Sequence, residues 1–239
     1  MIIVIKNRSS THLGIRLKTI ADMVDECEVL VDIGTDHGLL PIYLLEKKII
    51  IKAIATDICI SPLEQAKKNA KKKSLLNKMD FIVSDGLNKI NKKFNYIVIA
   101  GLGTRTIVNI LKNAKIKLNK DHKIIVQSNN GCYLVRKWGY LNGLIIEDEK
   151  MIKENKIYYE IIKFKFDDNK NKVLYSENDL IFGPILLKNK DLLLKERIEK
   201  EQEKLLDIIK KIPKNKTLET RNVTLKYDRN KEILDYLNL

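Results

Sequence analysis

The sequence predicts an α/β fold: a mostly parallel sheet covered by helices on both faces, closed by an antiparallel hairpin and followed by a small C-terminal α-helical, coiled-coil-like domain. Five short β-branched runs (Val29 to Ile33, Ile50 to Thr56, Met79 to Val83, Tyr96 to Ala100 and Lys123 to Gln127) alternate with amphipathic stretches long enough for helices. This is the rhythm of βαβ units. After residue 142 it breaks, because Leu144 to Glu147 and Ile157 to Phe166 are separated only by Asp148 to Lys156. That gap is too short for a crossover helix, so the two runs pair antiparallel at the sheet edge.

The intervening helices fall at about 38 to 48, 61 to 74, 105 to 118 and 133 to 141, the first entered through glycines with Pro41 near its start, where a missing N–H costs little. Beyond Phe166 the polar stretch 167 to 172, DDNKNK, reads as a linker dividing the chain into 1–166 and 167–239. Leu194, Ile198, Leu205, Ile208 and Ile212 then keep 3–4 spacing with Glu201 in the stripe, Pro213, Lys214 and Asn215 interrupt, and a second periodic stretch runs from Leu218 to Leu237. Two helices joined by a short turn predict an antiparallel helical hairpin.

The 239 residues hold 45 Lys and Arg against 31 Asp and Glu, a net charge of +14, and 38 of the cations are lysine. Residues 1 to 165 carry +12 of that excess and the remainder only +2. A basic balance of this size suits a polyanionic partner over an acidic metabolite, although a lysine-heavy solvated surface explains part of it. No apolar run approaches the roughly 18 residues of a membrane span, and MIIVI is shorter than the roughly seven apolar residues of a secretory signal, so the cytoplasm is the expected compartment. Cys27, Cys59 and Cys132 form no C-x-x-C, and His12, His37 and His122 no ligand spacing. Neither a disulfide framework nor a metal is expected.

The sharpest local signal is VLVDIGTDHGLLP, residues 29 to 41. A strand ends in Asp32, turns through Gly34 and Gly38 and enters a helix, at the sheet end where open α/β folds bind ligands. A dinucleotide fingerprint would be G-x-G-x-x-G. Here Asp32 and Asp36 occupy the loop, and carboxylates repel pyrophosphate. They suit a cationic cofactor, the amino group and sulfonium of S-adenosylmethionine. Asp57 closes the second strand, placed for ribose hydroxyls, and Asp85 closes the third, placed for an adenine amino group. Each alone would be an ordinary loop or cap residue; together at three successive strand ends they point to a nucleoside site. The expected cofactor-facing set is Asp32, Gly34, Thr35, Gly38, Asp57, Ile58, Ser84, Asp85, Gly86, Ala100 and Gly101.

The fourth strand ends in IAGLGT, residues 99 to 104, without the acid or amide, paired prolines and aromatic by which many amino-methylating enzymes grip their target. The fifth ends in QSNNG, residues 127 to 131, where Gln127 and Asn129 could face the same cleft and read an adenine edge or simply build a turn.

The succession R-L-x-x-I-A (Arg16 to Ala21), DIGTDHGLLP, Asp57, SDGL, AGLG, Q-S-N, R-K-W-x-x-x-x-G (Arg136 to Gly143), Y-Y-E (Tyr158 to Glu160) and F-G-P (Phe182 to Pro184) resembles the bacterial family of tRNA methyltransferases that makes 1-methyladenosine at position 22. The resemblance spans nearly the whole chain. It implies a Rossmann-like class I methyltransferase domain, S-adenosylmethionine as cofactor, and a coiled-coil-like helical domain, both domains used on tRNA. Two departures stand out: Leu102 and Thr104 where the family usually has Met and Gly, and Ser128 where it usually has Pro.

In that reading adenine N1 offers its own lone pair, so the site must orient and desolvate the base and hold N1 about 3 Å from the methyl carbon. Asp36 is expected to stabilise the developing cation, His37 to stack on or hydrogen-bond the base, and Asn129 to hold its edge. Arg16, Arg105, Arg136, Lys137, Arg197, Arg221 and Lys226 are the candidate RNA contacts, and a monomer is expected. The competing readings are a methyltransferase acting on another RNA or a protein, and a non-catalytic RNA-binding module on the same scaffold. A nicotinamide oxidoreductase conflicts with the loop carboxylates.

Overall fold

Seven strands form one sheet in the order β3-β2-β1-β4-β5-β7-β6. The computed structural model describes residues 10–115, 118–166, 173–212 and 217–239. The strands are β1 (Cys27–Ile33), β2 (Ile50–Asp57), β3 (Met79–Val83), β4 (Tyr96–Leu102), β5 (Lys123–Ser128), β6 (Leu144–Glu154) and β7 (Ile157–Phe166). The first five pair parallel, while β7 runs antiparallel to both β5 and β6. Strand order reverses between β1 and β4, and the crevice at their carboxyl ends is where such sheets bind ligands.

Successive residues on a strand face opposite sides, and both sides here are apolar. Leu30, Ala53, Val98 and Ile125 pack under α1 (Ile15–Asp22), α2 (Leu39–Glu46) and α3 (Ile60–Lys72). Val31, Ile54, Ile97 and Ile124 pack under α4 (Thr104–Lys112) and α5 (Tyr133–Leu141). Helix α1, which precedes the first strand, was not foreseen from the sequence.

The closing hairpin is longer than expected. Asp148 to Glu154 continue β6 and do not form a connection; only Asn155 and Lys156, at φ of 50° and 66°, make the turn. Two left-handed residues in a two-residue loop match the twist of the flanking strands. Acidic and basic residues disguised this strand, because Glu149 points inward and is 1% exposed.

Four helices complete the described chain: α6 (Glu177–Phe182), α7 (Pro184–Lys188), α8 (Leu192–Lys211) and α9 (Thr217–Asn238). Ser176 caps α6 through a reciprocal bond with Asp179, and the Asp191 carboxylate caps α8 at the amides of Leu193 and Leu194. Leu194, Ile198 and Leu205 are buried as their spacing predicts, but Ile208 is exposed, so the buried stripe ends after Leu205. The proposed linker 167–172 and the Pro213 to Asn215 interruption lie outside the described residues.

The helical segment is seated on the hairpin by a small core in which Met151 of β6 meets Phe182, Leu186, Leu194, Ile198, Ile233 and Leu237. A buried ionic cluster lies beside it. Arg136 of α5 is wholly buried; its Nε donates to Glu149 Oε1 (2.7 Å) and its Nη2 to Glu160 Oε2 (2.6 Å), while Arg197 of α8 donates to Glu160 Oε1 (2.5 Å). The backbone N–H of Ile185 completes the shell on Glu149 Oε2 (3.0 Å). Arg136 is therefore no RNA contact, contrary to its reading as a surface cation: two carboxylates on adjacent strands draw it inward. Burial raises the proton affinity of Glu149, only partly offset by Arg136, whereas the two guanidinium charges overcome the burial of Glu160 and hold it below the usual range.

Removing one member of a buried charged network leaves its partners desolvated and unpaired. Arg136→Met is expected to lower the unfolding free energy by about 3–5 kcal/mol, read from the urea midpoint at constant m. An unchanged midpoint would show that the cluster does not hold the fold.

Candidate cofactor cleft and nucleic-acid groove

At the carboxyl ends of β1, β2 and β4 lies a cavity of about 400 Å³ whose lining includes Arg16, Asp32, Thr35, Asp36, His37 and Asp57. Gly34, Ala100 and Gly101 bring backbone to its wall. The loop after β1 is stitched to β2, the amides of Gly34 and Thr35 both donating to Thr56 O (2.9 and 3.0 Å). Gly38 sits at φ 67°, and a Cβ there would lie 2.9 Å from Ala66 Cβ, so glycine is required for α2 to pack on α3. Asp36 takes φ 51° without being glycine. Such strain persists only where the surroundings impose it, and it gathers at functional sites. The strained turn projects Asp36 and His37 outward, the His37 ring nitrogen Nε2 3.6 Å from Asp36 Oδ1.

Asp32 is the unusual charge of the site. It is buried, accepts from Thr35 Oγ1 at 2.6 Å and shares the cavity with Asp57. Burial pushes its carboxyl up to about 6, with the Asp57 charge adding to the rise against the Thr35 hydrogen bond. A buried acid next to a second carboxylate is short of positive charge, the complement of a cationic ligand.

Arg16 supplies the opposite sign at the far wall. Its Nη1 donates to Gln127 Oε1 (2.6 Å), and the guanidinium lies 5.9 Å from the centre of the Tyr159 ring. The sequence reading of Arg16 as an RNA contact missed this placement, because α1 was not recognised. Gln127 is wholly buried and spends its amide internally: Oε1 also accepts from the Gly101 amide (3.0 Å) and Nε2 donates to Ser128 O (2.8 Å). It builds the turn and does not read a base. Asn129 is exposed at the rim, its Nδ2 donating to Gly101 O (2.7 Å).

The third-strand residues sit apart from this cavity's lining. The Ser84 hydroxyl is buried and locks its own turn by donating to Gly86 O (2.9 Å), and Gly86, at φ 58°, allows Ile110 to approach. Asp85 and Ile58 are exposed near by. The donor set fits S-adenosylmethionine: buried Asp32 for a cationic end, Asp57 for a diol, and Arg16 for a carboxylate.

A second, larger groove of about 1150 Å³ opens between the start of α4, the β6–β7 turn and the α8–α9 pair. Arg105, Lys156, Arg197, Lys200, Lys204, Lys226 and Arg229 line it against Glu160 and Glu201. Most of these cations belong to the helical segment, so its near-neutral net charge conceals a basic face. Lys226 pairs with Glu201 (2.6 Å). Lys137 and Arg221 are exposed outside the groove lining, Lys137 lying over Tyr133 at 5.3 Å.

A protein-family model described as tRNA (adenine(22)-N(1))-methyltransferase matches residues 30–232. The chain belongs to this family. It is 29% identical over 232 residues to the Bacillus subtilis (strain 168) tRNA (adenine(22)-N(1))-methyltransferase, covering 94% of this chain and 98% of that one. The M. capricolum TrmK structure, solved in complex with S-adenosyl-homocysteine, superposes with a TM-score of 0.83 at 30% identity, covering 94% of this chain and 99% of that one. A Streptococcus agalactiae protein of the NADB-Rossmann superfamily superposes at 0.87 with 31% identity, covering 95% and 99%. The two departures from the family pattern are accommodated here. Thr104 opens α4 in right-handed helix, where no glycine is needed, with its amide held by Asn130 Oδ1 (2.9 Å). Ser128 Oγ accepts from the Asn130 amide (3.3 Å) and so tethers the following turn.

Asp32 generates a signed prediction. Its folded pKa lies above its ordinary value of 3.8, so the ligand-free fold disfavours its charge. That penalty is absent below about pH 4 and complete above about pH 6. Asp32→Asn should stabilise the ligand-free protein by about 1–3 kcal/mol at pH 7, read as a higher melting temperature, and leave its stability unchanged near pH 4. Equal effects at both pH values would show that the burial of charge is not the cause.

Proposed function

We propose that this chain transfers a methyl group from S-adenosylmethionine to N1 of adenine 22 in tRNA, with the cofactor in the strand-end cavity and the RNA across the basic groove. The observation that carries the reading is one cavity uniting a buried, proton-hungry Asp32, Asp57 and Arg16 in a member of this family. In this proposal residues 1–166 hold the cofactor and the chemistry, and 167–239 add the far wall of the groove. In the same proposal the enzyme works in the cytoplasm, where tRNA is made and used. Neither a metal nor a second copy of the chain is needed by the chemistry; among the described residues no helix is long and apolar enough to cross a membrane, and no acidic, His or Cys cluster could hold a metal.

S-adenosylmethionine, when bound, supplies an electrophilic methyl carbon on a sulfonium. Asp32 faces the cationic amino acid end, Asp57 accepts from the ribose hydroxyls, and Arg16, steadied by Gln127, pairs with the carboxylate. Asp85, Ile58, Ser84 and Gly86 border the adenine end. Adenine N1 needs no base to attack, so the work of the protein is orientation and desolvation. Asp36 stands where the methylated base becomes cationic, and His37 provides a flat polar ring beside it. Asn129 holds the Gly101 turn under the base. The groove lysines, with Arg105 and Arg229, contact phosphates, which position without specifying sequence.

A paired experiment separates the two ends of the cleft. Asp57→Ala should weaken cofactor affinity at least tenfold by calorimetry, the loss of a charge-assisted hydrogen bond worth about 1.5–3 kcal/mol. His37→Ala should leave that affinity within about twofold while lowering methylation of tRNA about 10- to 100-fold. Loss of cofactor binding in His37→Ala would reassign His37 from the base to the cofactor, and methylation persisting on tRNA with adenine 22 replaced would overturn the target.

A further inference from the structure

One residue from each of three motifs lies away from the cofactor cleft: Arg136 of R-K-W, Glu160 of Y-Y-E and Gly183 of F-G-P. In the fold they meet at one point. Arg136 is shared by Glu149 and Glu160, and its Nη1 reaches toward the carbonyls of Leu180 and Ile181 (3.4 Å each). Gly183 crosses the cluster at φ 97°, where a Cβ would lie 2.7 Å from Arg136 Nη2 and 2.8 Å from Glu149 Oε2. Only a residue without a side chain fits over the salt bridge there. Glu160 then passes the connection to Arg197 of α8. Glu160 and Arg197 also line the RNA groove, and Arg197 Nε is buried without a hydrogen-bond partner among the described residues.

We propose that Glu160 is a positioning residue for tRNA: by holding Arg136 with one oxygen and Arg197 with the other, it fixes the α8–α9 pair at the angle that makes the groove continuous with the methyl-transfer site. The cluster joins α5, β6, β7 and α8, and among the described residues the sheet contributes Met151 and Tyr158 to the small apolar core beside it. Hydrophobic contact is tolerant of sliding. A two-sided carboxylate between two guanidiniums is directional and selects one arrangement. Arg197 is thereby an orienting group of the helix pair, held by Glu160, and not a free phosphate ligand.

The proposal rests on tRNA being the substrate, and the sign of one substitution separates it from simple electrostatics. Glu160→Gln keeps shape while removing a negative charge from a groove that takes a polyanion. Electrostatics alone predicts tighter tRNA binding. Positioning predicts the reverse: kcat/KM for tRNA falling about 10- to 100-fold, carried mainly in KM, with cofactor affinity within about twofold, measured where calorimetry shows the variant folded. Tighter binding or unchanged kcat/KM would overturn the proposal. If Glu160→Gln does not fold, Arg197→Gln decides, since it leaves Arg136, Glu149 and Glu160 in place: positioning predicts a loss of tRNA affinity with an unchanged salt slope, and a slope reduced by about one would mean that Arg197 neutralises a phosphate directly. Wild-type protein assayed alongside keeps the two levels distinct, because a wild type unable to methylate tRNA refutes the substrate and not the positioning role.

Discussion

A guanidinium with no access to water governs how the two parts of this molecule sit together. Moving Arg136 out of solvent is costly, and the geometry repays that cost only because carboxylates arrive from two neighbouring strands and the backbone carbonyls of Leu180 and Ile181 on α6 face Nη1. Each of those requirements reaches into a different element. Glu149 must point inward from β6, Glu160 from β7, and the chain must pass over the pair at Gly183 without a side chain. The length of the hairpin, the start of α7 and the seat of α8 follow from satisfying one buried charge.

The cofactor end obeys a different economy. Its sheet is conventional, and the tension lies in the loop: Asp36 in a left-handed conformation and Asp32 buried beside another carboxylate. Neither favours the ligand-free fold. Both make sense where a cationic ligand is to be bound and a cationic product formed, since a preorganised negative site costs stability before binding and returns it afterwards. The two ends meet through Gln127, which ties Arg16 and the Gly101 turn to β5, the strand that pairs with β7.

The parallel core was legible because β-branched runs and amphipathic stretches alternate without ambiguity, and the glycine loop because Asp32, Gly34 and Gly38 stand at the end of such a run. What the residues concealed were charges turned inward. Glu149 made β6 resemble a loop, Arg136 resembled a surface cation, and Gln127 left base reading and turn building equally open, since each of these side chains is usually exposed and hydrophobic period does not register a buried ion pair. Arg16 was misplaced for a related reason: α1 shows too weak a pattern to reveal that it covers the strand ends. Net charge misled on the helical segment, where the carboxylates that balance the sum lie mostly off the groove that its cations face.

The angle between the helix pair and the sheet is the central quantity, and pulsed dipolar spectroscopy follows it as a distance from one to the other. Spin labels at Lys68→Cys on α3 and Asp207→Cys on α8, both exposed positions, in a Cys59→Ser background that removes the exposed native thiol, report the separation. One narrow distance distribution is expected with Glu160 intact, and a broadened or displaced one with Glu160→Gln. The same narrow distribution in both proteins would mean that the ionic cluster does not set the arrangement.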